Sequence, residues 1–317
     1  RTTTRLLPLL DPMPASRLWN SAYFLLITTV LFWSGNFIVG RAAGGTVPPI
    51  ALAFWRWAGG TLILLVLARR HWRADLPVIR RHVPILLLLS LLGIAGFNTL
   101  VYIGLRETSA VNALLMQSAI PMVTLLFSFL LLGQRASLAQ MAGVAISLAG
   151  IAAIATRGRP QDLLAFALNP GDAWIVAAVA VWGLYTTLLV RRPAIHPLSL
   201  LTVTFLMGTL MLLPLYLYEH AQGARIEAGL PSALAIAYVI LLPGIVANFF
   251  YNRGVELIGA GPASLFIHLM PVFGTLLAVV FLGERVHPFH LAGIGLIATG
   301  IVLATAARRR AAARPSS

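Results

Sequence analysis

Two stretches that lie 150 residues apart decide the fold of this chain: QSAIPMVTLLFSFLLLGQR at 117–135 and IHLMPVFGTLLAVVFLGER at 267–285. Each is an apolar run that contains a proline and ends in Leu-Gly-(Gln/Glu)-Arg. An offset of 149 pairs Trp33 with Trp182. The offset of 150 relates further polar and small residues without a gap: Asn98 and Asn248, Gly104 and Gly254, Gly143 and Gly293, and Gly150 and Gly300. An ordered series at a nearly constant spacing indicates an internal duplication.

The composition around these stretches is that of an integral membrane protein. Of the 317 residues, 59% are hydrophobic and only 10% are charged, whereas soluble domains average about 25% charged residues. Apolar runs of about 20 residues predict membrane-spanning helices, and because lipid offers no partner to unpaired backbone groups, the whole fold is expected to be helical. Ten spans are predicted, at 20–41, 49–68, 83–105, 108–132, 138–156, 172–190, 197–218, 231–252, 261–282 and 287–306.

The ten spans divide into two repeats of five helices. We predict the following organisation: a cytoplasmic N-terminal tail at 1–19, a first repeat at 20–156, an external linker at 157–171, a second repeat at 172–306 and a basic cytoplasmic tail at 307–317. Because five is an odd number, the second repeat must enter the membrane upside down. Inverted-topology repeats are typical of secondary transporters, which bind their cargo near the membrane midplane. Prolines, which are tolerated in the first turn of a helix, support several span starts: Pro49, Pro170, Pro197, Pro231 and Pro288.

The orientation of the chain follows from its arginines. The chain has 23 basic residues, all of them Arg, and a net charge of +14. Sixteen arginines fall on the side of the N-terminus, six fall on the other side and Arg56 lies within a span. Since cytoplasmic loops carry the excess of positive charge, both termini are predicted to be cytoplasmic. The basic charge is therefore interpreted as the bias that orients the chain in the membrane, and no nucleic-acid partner is expected.

The residue types that are missing exclude several kinds of chemistry. The chain has no Cys, which excludes disulfides, thiolate zinc sites and iron–sulfur clusters. It has no Lys, which excludes a Schiff base and the lysine of a nucleotide-binding P-loop. No His-Glu-x-x-His motif or catalytic triad spacing is found. We therefore predict that the chain is not an enzyme, has no catalytic residues and needs no metal or cofactor.

Polar and aromatic residues inside the spans are the candidate cargo site, because such groups are costly at membrane depth. Amides, phenols and indoles offer neutral hydrogen bonds and flat apolar walls, which suit a neutral or zwitterionic small molecule. An interhelical packing bond remains the alternative for each Asn, and His268 is either a titrating group or a neutral structural one. The predicted substrate-binding residues are Trp33, Asn36, Asn98, Tyr102, Gln117, Trp182, Tyr185, Asn248, Tyr251 and His268.

Three further residues are predicted to act in gating. Pro121 and Pro271 lie inside the fourth and ninth spans, where a proline permits a bend and frees a carbonyl one turn earlier. Arg56, between two tryptophans, either reaches outward to the interface or guards the outer mouth of a cavity. The fifth and tenth spans carry small residues instead of polar ones, which predicts that they are packing struts.

The pattern of five plus five helices resembles the drug/metabolite transporter superfamily, and within it the ten-helix EamA-type carriers. The residues that carry the resemblance are Pro121 and Pro271 with the Leu-Gly-(Gln/Glu)-Arg ends and the glycine-rich spans that follow them. The likeness covers nearly all of 20–306 and departs from the family at Gln134, where the family usually has Glu.

The resemblance is strongest to bacterial exporters of amino acids, including aromatic ones. It implies a cavity lined by the first, third, fourth, sixth, eighth and ninth spans, a bacterial inner-membrane location and export by alternating access. The partners expected are the lipid bilayer, a small-molecule substrate and protons as the candidate coupling ion, and the protein is expected to be a monomer or weak oligomer. A broad drug or cation efflux carrier of the same fold is the alternative; it would need an intramembrane carboxylate, and the nine acidic residues lie at span ends or in loops.

Overall fold

The computed structural model describes residues 18–43, 45–104, 107, 116–156, 158–159, 161, 170–282 and 287–312. Within these residues all regular structure is helical. Most of the predicted N-terminal tail (1–17), the end of the C-terminal tail (313–317), most of the linker at 157–171, the start of the fourth span and the side chain of Tyr102 lie outside the described residues. The α-helices run over Ala22–Ala43, Pro49–Leu67, Arg69–Arg81, Val83–Ser90, Phe97–Gly104, Ile120–Leu132, Leu138–Ala155, Pro170–Leu188, Pro197–Ala221, Leu230–Val239, Ala247–Ile258, Ala260–Leu265, Met270–Leu282 and Pro288–Ala312.

Within the described residues, each predicted span coincides with an apolar helix or with consecutive helical segments. In the described part of the chain, six helices are long and apolar enough to cross a membrane, and four shorter apolar helices match the remaining spans. Helices begin at Pro49, Pro170, Pro197 and Pro288 as the sequence predicts, because proline has the φ angle of a first helical turn and needs no partner for an N–H. An all-helical membrane fold is therefore confirmed.

Two spans contain widened π-helical turns at equivalent places, which the sequence analysis did not predict. Leu91–Gly96 interrupts the third span and Ile240–Val246 interrupts the eighth. A glycine accommodates the altered backbone in each. An added Cβ at Gly96 would lie 2.6 Å from the Leu91 carbonyl oxygen, and one at Gly244 would lie 2.7 Å from that of Val239. Such turns occur often at functional sites.

The ninth span is interrupted at its predicted proline. It runs as an α-helix over Ala260–Leu265, tightens to a 3-10 helix over Phe266–Leu269 and continues as Met270–Leu282, with Pro271 in the first turn of the last segment. In the fourth span the helix Ile120–Leu132 likewise starts one residue before Pro121. Each proline thus begins a new helical segment instead of bending a continuous one, because its ring clashes with the preceding turn.

An amphipathic helix, Arg69–Arg81, connects the second and third spans. Its 13 residues fall between the predicted spans 49–68 and 83–105, and no helix was predicted there. Its apolar residues Trp72, Leu76 and Ile79 recur at the spacing of one helix face, and Ile79 is buried against the body of the protein.

The fifth and tenth spans pack backbone against backbone through four glycines, Gly143, Gly150, Gly293 and Gly300, which we call the glycine seam. An added Cβ at Gly143 would lie 2.5 Å from the Gly300 carbonyl oxygen, and one at Gly150 would lie 2.6 Å from that of Gly293. Because the earlier glycine of one helix meets the later glycine of the other, the two helices run antiparallel where they cross. The prediction that these spans act as packing struts agrees with this contact.

Candidate functional site

Five aromatic side chains from the first, third, sixth and eighth spans meet in the interior, and we call them the aromatic cluster: Trp33, Phe97, Trp182, Tyr185 and Tyr251. Trp33 meets Trp182 edge to face, with ring centroids 5.3 Å apart, and Tyr251 at 5.1 Å. Trp182 also contacts Phe97 at 4.6 Å and Tyr185 at 5.1 Å. The structure therefore brings together four residues that the sequence analysis selected from three different spans.

The two phenols of the cluster have polar partners in the described residues. The Tyr185 hydroxyl donates to the side-chain oxygen of Asn252 at 3.1 Å. The Tyr251 hydroxyl and the Thr186 hydroxyl lie 2.9 Å apart. Buried phenols normally find such partners, so the two hydroxyls of the cluster are satisfied beside apolar ring faces.

The backbone carbonyl of Pro243, inside the π-helical turn of the eighth span, accepts three hydrogen bonds next to the cluster. The Trp33 indole N–H donates to it at 3.3 Å, the Arg56 guanidinium at 2.9 Å and the Asn248 amide at 3.0 Å. The same Asn248 amide donates to the Gly244 carbonyl at 2.8 Å. Asn248 therefore hydrogen-bonds within its own span, and one of its two acceptors also accepts donors from the first and second spans.

Arg56 is buried, with 5% of its surface exposed. Its guanidinium lies over the ring of Trp57, 4.5 Å from the centroid, in addition to its bond to the eighth span. Of the two alternatives predicted from the sequence, outward extension toward the interface is wrong in this structure, because the side chain turns inward to a carbonyl that Trp33 also contacts.

A second polar group lies between the fourth and ninth spans. The Nε2 atom of His268 donates to the Ser118 carbonyl at 2.8 Å, since a carbonyl only accepts. This bond uses a carbonyl in the turn before Pro121, where that proline interrupts the helix. Nε2 of Gln117 and Nδ1 of His268 are buried and have no hydrogen-bond partner among the described residues.

A cavity of about 10 Å³ opens beside this second group. That volume accommodates about one water molecule, so in this conformation the cavity is closed to a metabolite. The described residues that line it are Gln117, Ser118, Ile151, Ile267, Met270 and Pro271.

Three predicted site residues are not joined to either group by a described polar contact. Asn36 is half-buried. The amide of Asn98 lies 3.5 Å from the Ile94 carbonyl of its own helix, a distance at which a hydrogen bond is weak. The side chain of Tyr102 lies outside the described residues.

Sequence reasoning missed several residues of the site. Pro243 carries its acceptor on the backbone, which no side-chain pattern reveals, although a proline in the middle of an apolar span was a visible signal. Tyr238 donates from its hydroxyl to the Phe32 carbonyl at 3.3 Å. Phe97 and Thr186 are each next in sequence to a residue that was selected, Asn98 and Tyr185.

An ionic network lies at the end of the eighth span that is predicted to be cytoplasmic. Glu256 binds Arg253, three residues earlier, at 3.0 Å and Arg192 at 2.7 Å. Arg253 also donates to the Asn20 side chain at 2.8 Å. Arg253 and Glu256 thus form a local ion pair on one helix, and Arg192 extends it to the end of the sixth span.

A histidine contact lies outside the spans, where the amphipathic helix meets the start of the seventh span. The rings of His71 and His196 stack at 3.7 Å, and Asp75 accepts the backbone N–H of His196 at 2.9 Å. His196 Nδ1 accepts the backbone N–H of Leu198. Burial, and then the neighbouring His71, lower the pKa of His196, while Asp75 opposes them.

Comparison with known proteins identifies the family. Residues 20–156 and 169–306 each match the EamA-like transporter family. This chain belongs to that family. The two matched ranges are nearly the two predicted repeats, and members of the family are transporters and not enzymes.

Relatives of this EamA-like transporter cover nearly its whole length. It is 28% identical over 309 residues to a probable terminal-alkyne amino-acid exporter of Streptantibioticus cattleyicolor, covering 93% of this chain and 98% of the relative. It is 24% identical to the uncharacterized transporter YyaM of Bacillus subtilis, over 89% and 93% of the two chains. A crystal structure of a protein that is 21% identical superposes with a TM-score of 0.75, covering 91% of this chain and 99% of that one; at that identity the likeness concerns the fold.

Proposed function

We propose that this protein is a secondary transporter that exports small neutral or zwitterionic metabolites, with aromatic and hydrophobic amino acids as the first candidates. The observation that carries the proposal is the aromatic cluster. Trp33 and Trp182, equivalent residues of the two halves, meet edge to face at 5.3 Å in the interior. Flat rings beside neutral hydrogen-bonding groups suit a cargo with an apolar body and a small polar end.

The alternating-access mechanism is supported by the pairing in the glycine seam. Gly143 meets Gly300 and Gly150 meets Gly293. Since the offset of 150 relates Gly143 to Gly293 and Gly150 to Gly300, exchanging the two repeats turns one contact into the other. Such reciprocal contacts are those of a two-fold related pair. An axis that relates two antiparallel helices lies across them, which supports the inverted-topology repeats of the proposed mechanism.

The proposed setting is the bacterial inner membrane with both termini in the cytoplasm. The arginine bias of sixteen to six supports this orientation,. The amphipathic helix contributes Arg69, Arg70, Arg73, Arg80 and Arg81 to the same side.

The amino-acid class is supported by the relative from Streptantibioticus cattleyicolor, whose name describes an amino-acid exporter. A broad drug or cation carrier is the alternative, and it calls for a carboxylate that can hold a cation. Glu219 is nearly buried at the end of the seventh span, but both of its oxygens accept backbone N–H groups, of Ile50 at 3.2 Å and Ala51 at 2.7 Å. It caps the second span, which is a structural role.

The test is reconstitution of the purified protein into liposomes, followed by counterflow of a panel of amino acids with and without an imposed pH gradient. We expect exchange of aromatic or hydrophobic amino acids, and a gradient-dependent rate if protons are the coupling ion. Exchange of quaternary ammonium compounds without any amino acid would support the alternative, and no flux of any amino acid would contradict the proposal.

A further inference from the structure

Three hydrogen-bond donors from three spans converge on one neutral oxygen. Trp33, Arg56 and Asn248 all donate to the Pro243 carbonyl, at 3.3, 2.9 and 3.0 Å. A carbonyl oxygen has two acceptor lone pairs, so three donors must share them. The donors are therefore more numerous than the lone pairs of this single acceptor.

A carboxylate matches such a set of donors better than a carbonyl does. It has two oxygens with about four acceptor sites, it carries a negative charge, and it can accept a guanidinium through two parallel bonds. Ionisable residues at membrane depth are rare and mark substrate pathways. Arg56 is buried about 10 Å along the second span, at 1.5 Å per residue from Pro49, so it lies at such a depth.

We propose that Arg56, with the indole of Trp33 and the amide of Asn248, binds the carboxylate of the transported metabolite. The Pro243 carbonyl occupies the place of that carboxylate in the closed conformation and is displaced when cargo enters. Proline lacks an N–H, so the turn that precedes Pro243 lacks one helical hydrogen bond, which lowers the cost of moving this segment.

The surroundings define the rest of the ligand. Trp33, which donates to the shared oxygen, also contacts the rings of Trp182 and Tyr251, so an apolar or aromatic body attached to the carboxylate would lie against the cluster. The predicted class is a small monocarboxylate with an apolar or aromatic body, to which aromatic α-amino acids belong. This inference rests on the proposed transport function and adds the group by which the cargo is recognised.

The first test compares ligands on the wild-type protein in detergent. Thermal stabilisation is measured with phenylalanine, with 3-phenylpropionate, which keeps the carboxylate but lacks the amine, and with phenylalaninamide and phenethylamine, which lack the carboxylate. We expect both carboxylates to stabilise the protein, and the two compounds without a carboxylate to require at least about tenfold higher concentration, because a charged hydrogen bond is lost. Equal stabilisation by phenylalanine and its amide would overturn the inference.

The second test substitutes the arginine. Arg56→Gln keeps a polar side chain of similar reach but removes the charge, and Arg225→Gln makes the same change at an exposed loop position. We expect Arg56→Gln to weaken 3-phenylpropionate binding about ten- to a hundredfold and to abolish the preference for phenylalanine over its amide, while Arg225→Gln changes neither. Undiminished carboxylate preference in Arg56→Gln would contradict the proposal.

A conservative variant covers the case in which Arg56→Gln does not insert. Arg56→Lys retains the charge without the planar fork, and we expect it to keep the carboxylate preference at reduced affinity. Loss of that preference in a well-folded Arg56→Lys protein would count against a charge-based site.

The transport activity and the carboxylate site are tested separately. Carboxylate-selective binding without counterflow of any amino acid would contradict the transport proposal and leave the binding site in place. Counterflow of phenylalanine that the amide inhibits as strongly as 3-phenylpropionate does would contradict the carboxylate site and leave transport in place.

Discussion

The glycine seam and the aromatic cluster both join the two halves of the molecule, and they do so by opposite means. In the seam, the two helices approach so closely that none of the four glycines has room for a side chain. The nearest atom would lie 2.2–2.5 Å from an added Cβ at Gly143, Gly293 and Gly300, and 2.6 Å from one at Gly150. In the cluster, large rings touch at centroid distances of 4.6–5.7 Å. Each ring contact contributes about 0.5–1.5 kcal/mol beyond burial and can be broken and formed again. The glycine seam therefore suits a fixed contact between the two halves, and the aromatic cluster suits a contact that opens.

The largest effect is expected when the seam is overpacked. Gly300→Ala places a methyl group 2.2 Å from the Ser147 hydroxyl and 2.4 Å from the Gly143 carbonyl oxygen, so the helices must move apart. We expect a loss of stability of about 1–3 kcal/mol or more, seen as a lower midpoint of thermal unfolding in detergent. Gly295→Ala is the matched control on the same helix, because nothing lies within 4 Å of its added Cβ. Equal midpoints for the two variants would mean that the seam is not tightly packed.

Truncation in the cluster should instead affect transport. Trp33→Ala removes a ring that contacts Trp182 and Tyr251 and an N–H that binds the eighth span. We expect initial counterflow rates to fall by at least about tenfold, since aromatic anchors dominate binding, while the protein still inserts and elutes as a single species. Trp174→Ala, in the sixth span but 43% exposed, is the control and should transport normally. If both variants transport at the wild-type rate, the cluster only packs the bundle.

The two halves can also be compared at equivalent asparagines. Asn248 makes two bonds of 2.8 and 3.0 Å to carbonyls of the π-helical turn, whereas the amide of Asn98, 150 residues earlier, lies 3.5 Å from the Ile94 carbonyl. Asn248→Ala should therefore reduce the transport rate severalfold, because each membrane hydrogen bond contributes about 0.6–2 kcal/mol, and Asn98→Ala should reduce it less. Initial rates of both variants in the same liposome preparation decide the order, and a larger loss in Asn98→Ala would reverse the assignment.

The smallest effect is expected outside both contacts, at His196. Its pKa is lowered in the folded protein, so the neutral form is favoured there. The stabilisation that neutral His196 contributes to the folded protein is present above the ordinary His pKa of about 6.5. It is lost as the pH falls toward the lowered pKa of the folded protein. Protonation also removes the Nδ1 acceptor that caps the seventh span.

We therefore expect the thermal midpoint to fall slightly more between pH 7.5 and 5.5 in the wild type than in His196→Asn, since Asn can also cap a helix. His82→Asn, at an exposed position, is the matched control and should behave like the wild type. A pH dependence that is unchanged in His196→Asn would show that this contact does not contribute.

Much of the fold could be predicted from the sequence because its determinants are local or periodic. Pro49, Pro197 and Pro288 mark helix starts, and apolar runs mark the spans. The glycines of the seam were visible as a repeat because each repeat carries them at the same spacing. The amphipathic helix was missed because the span criterion selects for apolar length and not for one apolar face.

The site was only partly predictable because its decisive contacts join residues that are distant in sequence. Periodicity places Trp33 and Asn36 on one face of a helix, but it does not reveal that Trp33, Arg56 and Asn248 share the Pro243 oxygen. That oxygen lies in a π-helical turn, which the sequence analysis did not predict. The direction of the Arg56 side chain likewise depends on its neighbours in the eighth span and not on its own position.

The central claim, that the halves separate at the cluster and stay joined at the seam, is tested most directly by cysteine accessibility, because the chain has no native Cys. Ser34, next to Trp33, is 3% exposed, and its hydroxyl lies 3.4 Å from the Met270 carbonyl of the ninth span. Ser147, which lies against Gly300 of the glycine seam, is 0% exposed. In liposomes, Ser34→Cys should react with a water-soluble methanethiosulfonate and be protected by phenylalanine, whereas Ser147→Cys should not react. Equal reaction rates at the two positions, or no protection at Ser34→Cys, would contradict the account.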